Sequence, residues 1–128
     1  KEQLKEYLYS KGKKIKDFGC YSLESVDYPD FAHQLAESIE KGENELGIQF
    51  CGTGNGINMS ANKHPQIRAA LCWNTHIAEQ ARLHNNANVL TMPARHLQWN
   101  EVKEIIDIFL SSEFEGGRHQ RRVNKISL

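Results

Sequence analysis

The sequence has no CxxC pair, no long apolar run, no low-complexity tract, no internal repeat and no excess of either charge. Its three cysteines, Cys20, Cys51 and Cys72, are an odd set without paired spacing. They argue against a disulfide framework or a structural zinc site and fit free thiols in a reducing, cytoplasmic compartment. Sixteen basic and sixteen acidic residues cancel to a formal net charge of zero, which removes the electrostatic case for broad nucleic-acid or membrane-surface binding. No segment is apolar for long enough to span a bilayer as a helix. What is present is ordinary for one globular domain: 128 residues, 39% of them hydrophobic, can bury a real core.

Helices and strands alternate along the chain. Leu4, Tyr7 and Leu8 mark an amphipathic helix that Gly12 stops, and Ile15 to Phe18 reads as a short strand. Tyr28, Phe31, Ala32, Leu35, Ala36 and Ile39 recur at three- and four-residue steps, a second helix ending at Gly42. Leu46 to Cys51 reads as a buried strand and Asn58 to Lys63 as a short helix closed by Pro65. Strands follow at Arg68 to Cys72 and Ala87 to Thr91, on either side of a helix from Thr75 to His84. Trp99, Val102, Ile106, Phe109 and Leu110 give a late helix, and Arg118 to Lys125 a last one. Such alternation predicts an α/β fold with a parallel sheet covered on both faces. Ligands in such sheets sit beyond the carboxyl ends of the strands, after Phe50, Cys72 and Thr91 here. On that rule Trp73 borders the pocket.

The segment Cys51-Gly52-Thr53-Gly54-Asn55-Gly56 carries the most chemistry. Three alternate glycines let the backbone approach a ligand and turn its amides inward, and the following helix start adds partial positive charge. Ile57 stands where the dinucleotide-binding pattern needs glycine and where a cysteine phosphatase needs arginine; the Gly-Lys of nucleotide hydrolases is absent. What remains is a cysteine facing a nest of amides, where a thiolate is stabilised and an oxyanion can be held. The same residue also reads as a strand-end cysteine above a tight turn. His84 ends the stripe of Ile77 and Ala81 and reads either as a proton shuttle or as a packing or capping histidine. Arg118 and Arg122, four apart, share a helix face whose planar forks fit phosphate. With Arg121 and Lys125 they equally read as a solvated basic tail.

CGTGNGINMSANK, IRAALC, ARLHNNANVL and EFEGGRHQRRV, preceded by DFGCYSLESVDYPDFA, resemble in order and spacing the ribose-5-phosphate isomerase B family over essentially the whole chain. The resemblance implies one domain over 1–128 with a three-layer α/β/α sandwich, a Rossmann-like doubly wound parallel sheet. It implies an aldose-ketose isomerase acting on ribose 5-phosphate and ribulose 5-phosphate through an enediolate, with no metal and no cofactor. Cys51 would move a proton between C1 and C2, Thr53 would assist or relay it, and the amides of Gly52, Gly54, Asn55 and Gly56 would hold the enediolate. Relatives without the cysteine carry glutamate where Ile57 stands, so this chain falls in the cysteine-base branch. His84 would open the furanose ring, Asn85 would contact substrate hydroxyls and Tyr28 would line the sugar pocket. Arg118 and Arg122 would reach the phosphate of a substrate held by a neighbouring subunit, which implies a homodimer or homotetramer with shared active sites.

Two departures accompany the match. The family's first strand, which ends in an Asp-His pair, has no counterpart, so the native polypeptide is expected to be longer. Omitting a central strand would leave backbone groups unpaired at about 1–3 kcal/mol each. Pro93-Ala94-Arg95 stands where many relatives have glycine before the alanine or serine, and it is assigned no role. His33, His64, His76, His96 and His119 read as surface or packing residues. Two alternatives stay open: an isomerase of galactose or allose 6-phosphate, and a sugar-phosphate binding module without chemistry.

Overall fold

The computed structural model describes residues 2–19 and 27–128. Cys20 and the remainder of 20–26, inside the DFGCYSLESVDYPDFA motif, lie outside the described residues. Six helices and three strands follow in order: α1 Glu2–Ser10, α2 Tyr28–Glu40, β1 Gly47–Cys51, α3 Asn55–Ala61, β2 Ala69–Leu71, α4 Thr75–Asn85, β3 Val89–Pro93, α5 Trp99–Ser111 and α6 Arg118–Asn124. A 3-10 turn, Ala94–His96, links β3 to α5. Among the described residues no helix is long and apolar enough to cross a membrane.

The three strands are parallel in the order β1-β3-β2. From β1 to β2 the chain steps past the β3 position, and from β2 to β3 it steps back. Crossovers between parallel strands are right-handed, so a reversal of direction puts their helices on opposite faces. Accordingly α3 packs with α2 on one face, while α4 packs with α5 on the other. Strand alternation sorts the side chains to match. Leu90 and Met92 join Leu4, Leu8, Ala78, Ala81, Ile105, Ile106 and Phe109 in the larger core, with Ile48 and Phe50 against it. Val89 joins Ala36, Ala61 and Ile67 in the smaller one. The fold is therefore the doubly wound α/β/α sandwich that the alternation predicts.

Local chemistry sets the boundaries. Asn74 Oδ1 accepts from Ile77 N at 2.9 Å to start α4, and Asn86 ends it in the left-handed region at φ 49°. Asn88, buried, accepts from Arg68 N at 2.8 Å and donates to Gln66 O at 2.9 Å, tying together the starts of β2 and β3. Two asparagines of the HNNAN motif thus serve the backbone. His33 and His64 are more than surface residues: their rings meet at 2.7 Å, and His64 Nδ1 meets Glu40 Oε1 at 2.8 Å, clamping α2 to the end of α3.

Three expected elements differ, one of them only in its bounds: β3 runs Val89–Pro93 rather than from Ala87 to Thr91. Ile15–Phe18 is not a strand; residues 13–19 carry no regular structure. Their apolar side chains face a cavity beside β1, and burial without a hydrogen-bonded neighbour makes no strand. Helix α3 begins at Asn55 rather than Asn58, because Gly54 reverses the chain at φ 82° directly into the first turn. A Cβ on Gly54 would also lie 2.6 Å from Leu71 Cδ1. Gly54→Ala is therefore expected to cost about 1–3 kcal/mol, read as a lower urea midpoint. An unchanged midpoint would show that the turn relaxes freely.

Candidate functional site

Two groups of functional side chains form, one at each edge of the sheet. The first lies beyond the carboxyl end of β1. Cys51 is the last residue of that strand, paired with Pro93 and exposed. Gly47, Gln49 and Cys51 share the α2–α3 face by alternation. Gln49 anchors this face: its Nε2 donates to Thr91 Oγ1 at 2.9 Å and to Ile57 O at 3.2 Å, holding the first turn of α3 to the sheet. The loop is closed by Thr53, whose Oγ1 accepts from Asn55 N at 3.4 Å.

Two glycines of this loop permit close approach. A Cβ on Gly56 would collide with the ring and hydroxyl of Tyr28, so the start of α2 sits directly on the glycine turn. A Cβ on Gly52 would lie 2.8 Å from Arg95 Cζ, and Arg95 N donates to Gly52 O at 3.1 Å. Arg95 thus brings a guanidinium against the residue next to the Cys51 sulfur. Cys51 also lines a cavity of about 780 Å³ that runs along β1, with Tyr28, Phe31, Gln49, Phe50 and Ile57 among its other walls. Trp73 is exposed just past β2, at the same edge of the sheet.

The second group lies at the amino edge. α4 starts beyond β2 and runs back for eleven residues, about 16 Å at helical rise, to deliver His84 and Asn85 near the start of β3. His84 stacks on His119 of α6, with ring centroids 4.2 Å apart and planes at 14°. Both Nε2 atoms lie 3.8 Å from Glu115 carboxylate oxygens. Arg118, Arg122 and Asn85 are exposed here. Burial holds the His119 ring below the ordinary histidine value, with His84 and Arg118 adding to the effect and Glu115 opposing it.

The residues read from sequence therefore divide. Tyr28, Cys51, Gly52, Thr53, Gly54, Asn55 and Gly56 come together at one edge. His84, Asn85, Arg118 and Arg122 come together at the other. The strands between them advance about 13 Å from Gly47 to Cys51. Among the described residues Cys51 and Tyr28 line the cavity along β1, whereas Asn85 lines a different one. Sequence reasoning passed over Arg95, Glu115 and His119. The last two lie inside a quoted motif, EFEGGRHQRRV, whereas Arg95 ends the Pro93-Ala94-Arg95 segment that was assigned no role, and sits in a 3-10 turn.

Cys72 supplies a contrast. It is fully buried and its Sγ lies 3.6 Å from Ala70 O; burial pushes its thiol up to about 12. At mildly alkaline pH, iodoacetamide is expected to label Cys51 and spare Cys72 in the folded protein, read by peptide mass spectrometry. Equal labelling would show that the larger core opens freely. Unfolding returns Cys72 to its ordinary value of 9.0, so the unfolded chain gives up that proton first. Its share of stability is complete below that pH and is lost as pH rises towards the folded value.

Comparison with known proteins follows the same outline. The profile of the Ribose/Galactose Isomerase family matches residues 1–126. Ribose-5-phosphate isomerase B of Escherichia coli is 40% identical over 127 residues, covering 99% of this chain and 85% of that protein. The structure of a ribose 5-phosphate isomerase from Thermotoga maritima superposes with a TM-score of 0.96 at 48% identity, covering 98% of this chain and 87% of the other. That of ribose-5-phosphate isomerase B from Mycoplasma genitalium, with bound ribulose-5-phosphate, gives 0.93 at 42% identity, covering 98% and 84%.

Proposed function

The chain belongs to the ribose/galactose isomerase family, and from that premise we propose that it interconverts ribose 5-phosphate and ribulose 5-phosphate. The observation that carries this reading is the exposed Cys51 sulfur at the mouth of the glycine turn, with the Arg95 guanidinium packed against Gly52. The E. coli and M. genitalium relatives are named for this substrate, and the M. genitalium structure holds its ketose, which supports the pentose over a hexose.

In this mechanism His84 moves a proton between the anomeric hydroxyl and the ring oxygen, opening the furanose. The Cys51 thiolate then takes the proton from C2. The electron pair of that C–H bond becomes the C1–C2 double bond, and negative charge collects on oxygen, where the amides from Gly52 to Gly56 meet it. Thr53 relays a proton among the oxygens, and Cys51 returns its proton to C1, giving the ketose. Tyr28 lines the sugar, Asn85 contacts its hydroxyls, and Arg118 and Arg122 hold the phosphate.

Cys51 and His84 can act on one sugar only if they come from two copies. A homodimer, alone or doubled into a homotetramer, sets the carboxyl edge of one sheet against the amino edge of the partner's. A two-fold axis then builds two equivalent composite sites. Such a site needs no nucleic acid or membrane, and its free thiol suits a reducing cytoplasm.

The test is to supply ribose 5-phosphate and follow ketose formation. Turnover of the pentose phosphate above that of galactose and allose 6-phosphates is expected. Folded protein that binds the pentose phosphate without turning it over would leave a binding module and overturn the enzymatic reading.

A further inference from the structure

His84, Glu115 and His119 come from three separate segments, yet their ligand atoms all lie within 4.8 Å of one another. His84 closes the last turn of α4, Glu115 follows α5, and His119 stands in the first turn of α6. The backbone fixes this meeting. Glu115 N donates to Leu83 O at 3.0 Å, one residue before His84. Gly116 and Gly117, at φ 72° and 57°, turn the chain so that His119 N can donate back to Gly116 O at 3.1 Å. The three side chains grade from shielded to open, at 11% exposure for His119, 35% for His84 and 51% for Glu115.

Two imidazoles and one carboxylate form a nitrogen-rich set, suited to zinc and its neighbours rather than to magnesium or calcium, which take oxygen ligands. Tetrahedral zinc with bonds of about 2.0–2.1 Å spaces its ligand atoms about 3.4 Å apart. The 3.8 Å separations run to different carboxylate oxygens, His84 Nε2 to Oε1 and His119 Nε2 to Oε2, and the set of single ligand atoms spans up to 4.8 Å, so the carboxylate must close in to reach that spacing. The stacked rings must also tilt apart so that their lone pairs converge. The carbonyl end of α4 favours a cation beside His84. The exposed Arg118 and Arg122 side chains of α6 oppose one.

We propose that His84, Glu115 and His119 form a binding site for a divalent transition metal of the zinc type, and that filling it inhibits the enzyme by occupying the His84 nitrogen. The inhibitory half rests on the ring-opening role given to His84 above; the binding half does not.

Cobalt(II) serves as the spectroscopic probe. The wild-type chain titrated with Co²⁺ should develop visible ligand-field bands without the near-ultraviolet sulfur-to-cobalt charge transfer that a thiolate site gives, and Zn²⁺ should bleach them. Glu115→Gln and His119→Gln should each weaken binding by at least about tenfold, since loss of even an outer partner of a metal ligand costs that much. Cys51→Ala should leave the spectrum unchanged. A charge-transfer band that disappears in Cys51→Ala, binding that is equal in the wild type and both ligand variants, or no bands at millimolar metal would overturn the site. In the activity arm, Zn²⁺ should inhibit the wild type and a chelator should restore it, while Glu115→Gln should resist inhibition. Metal binding with turnover untouched would leave the site standing and overturn the inhibition, along with the ring-opening role of His84.

Discussion

Replacing Cys51 by alanine is expected to lower the turnover of ribose 5-phosphate by at least about 100-fold, the lower range for a positioned acid-base group. The expectation rests on geometry. Cys51 is exposed at the carboxyl end of a strand, lines a cavity and stands directly before the glycine turn, where the Arg95 guanidinium packs against Gly52. Because the side chain is exposed, removing the sulfur leaves no buried void, and the urea midpoint should stay close to that of the wild type. This separates a chemical loss from a folding loss. Binding should also survive, because Tyr28, the glycine amides and the arginines are untouched. A variant that keeps near-normal turnover would remove Cys51 from the role of base, whatever the activity of the wild type.

The second large effect is a gain. Cys51→Ala and His84→Asn should each be inactive alone and should recover activity when mixed under conditions that allow subunits to exchange. Within a mixed dimer, one composite site receives both intact residues and the other receives neither. About half the dimers in an equimolar mixture are mixed, so the recovery should approach about one quarter of the wild-type rate. The reason is the polarity of the fold. α4 carries its chain away from the edge where Cys51 stands and leaves His84 about a helix length distant. If both residues of one chain served the same sugar, mixing would restore nothing. Mixed dimers seen by native mass spectrometry without recovered turnover would therefore sink the two-copy site while leaving the isomerase reading intact.

Much of this was open to reading from the residues. β1 and its loop were legible because an apolar run ending in alternate glycines has few other meanings. The start of α3 was not, because glycine and asparagine are weak helix formers and only the left-handed turn at Gly54 brings the helix forward to Asn55. Ile15 and Phe18 have the spacing of a buried segment, but spacing reports burial and not a strand partner. Arg95 was missed because its place against Gly52 depends on the 3-10 turn after β3, which no local pattern announces. The division between Cys51 and His84 was implicit all along. In strand–helix alternation, a residue ending a strand and one ending a helix lie at opposite edges of the sheet.

β1 also constrains how this chain can diverge. Gly47, Gln49 and Cys51 turn to one face, while Ile48 and Phe50 turn to the larger core. Dropping a single residue between Gly47 and Cys51 would rotate the sulfur into the greasy side of the sheet and bring phenylalanine out in its place. Length changes in the strand are thus tolerable only in even steps, whereas loops beyond the glycine turn are free to grow or shrink. Lineages of this enzyme should accordingly record their insertions beyond the glycine turn and almost never within β1 or the turn itself.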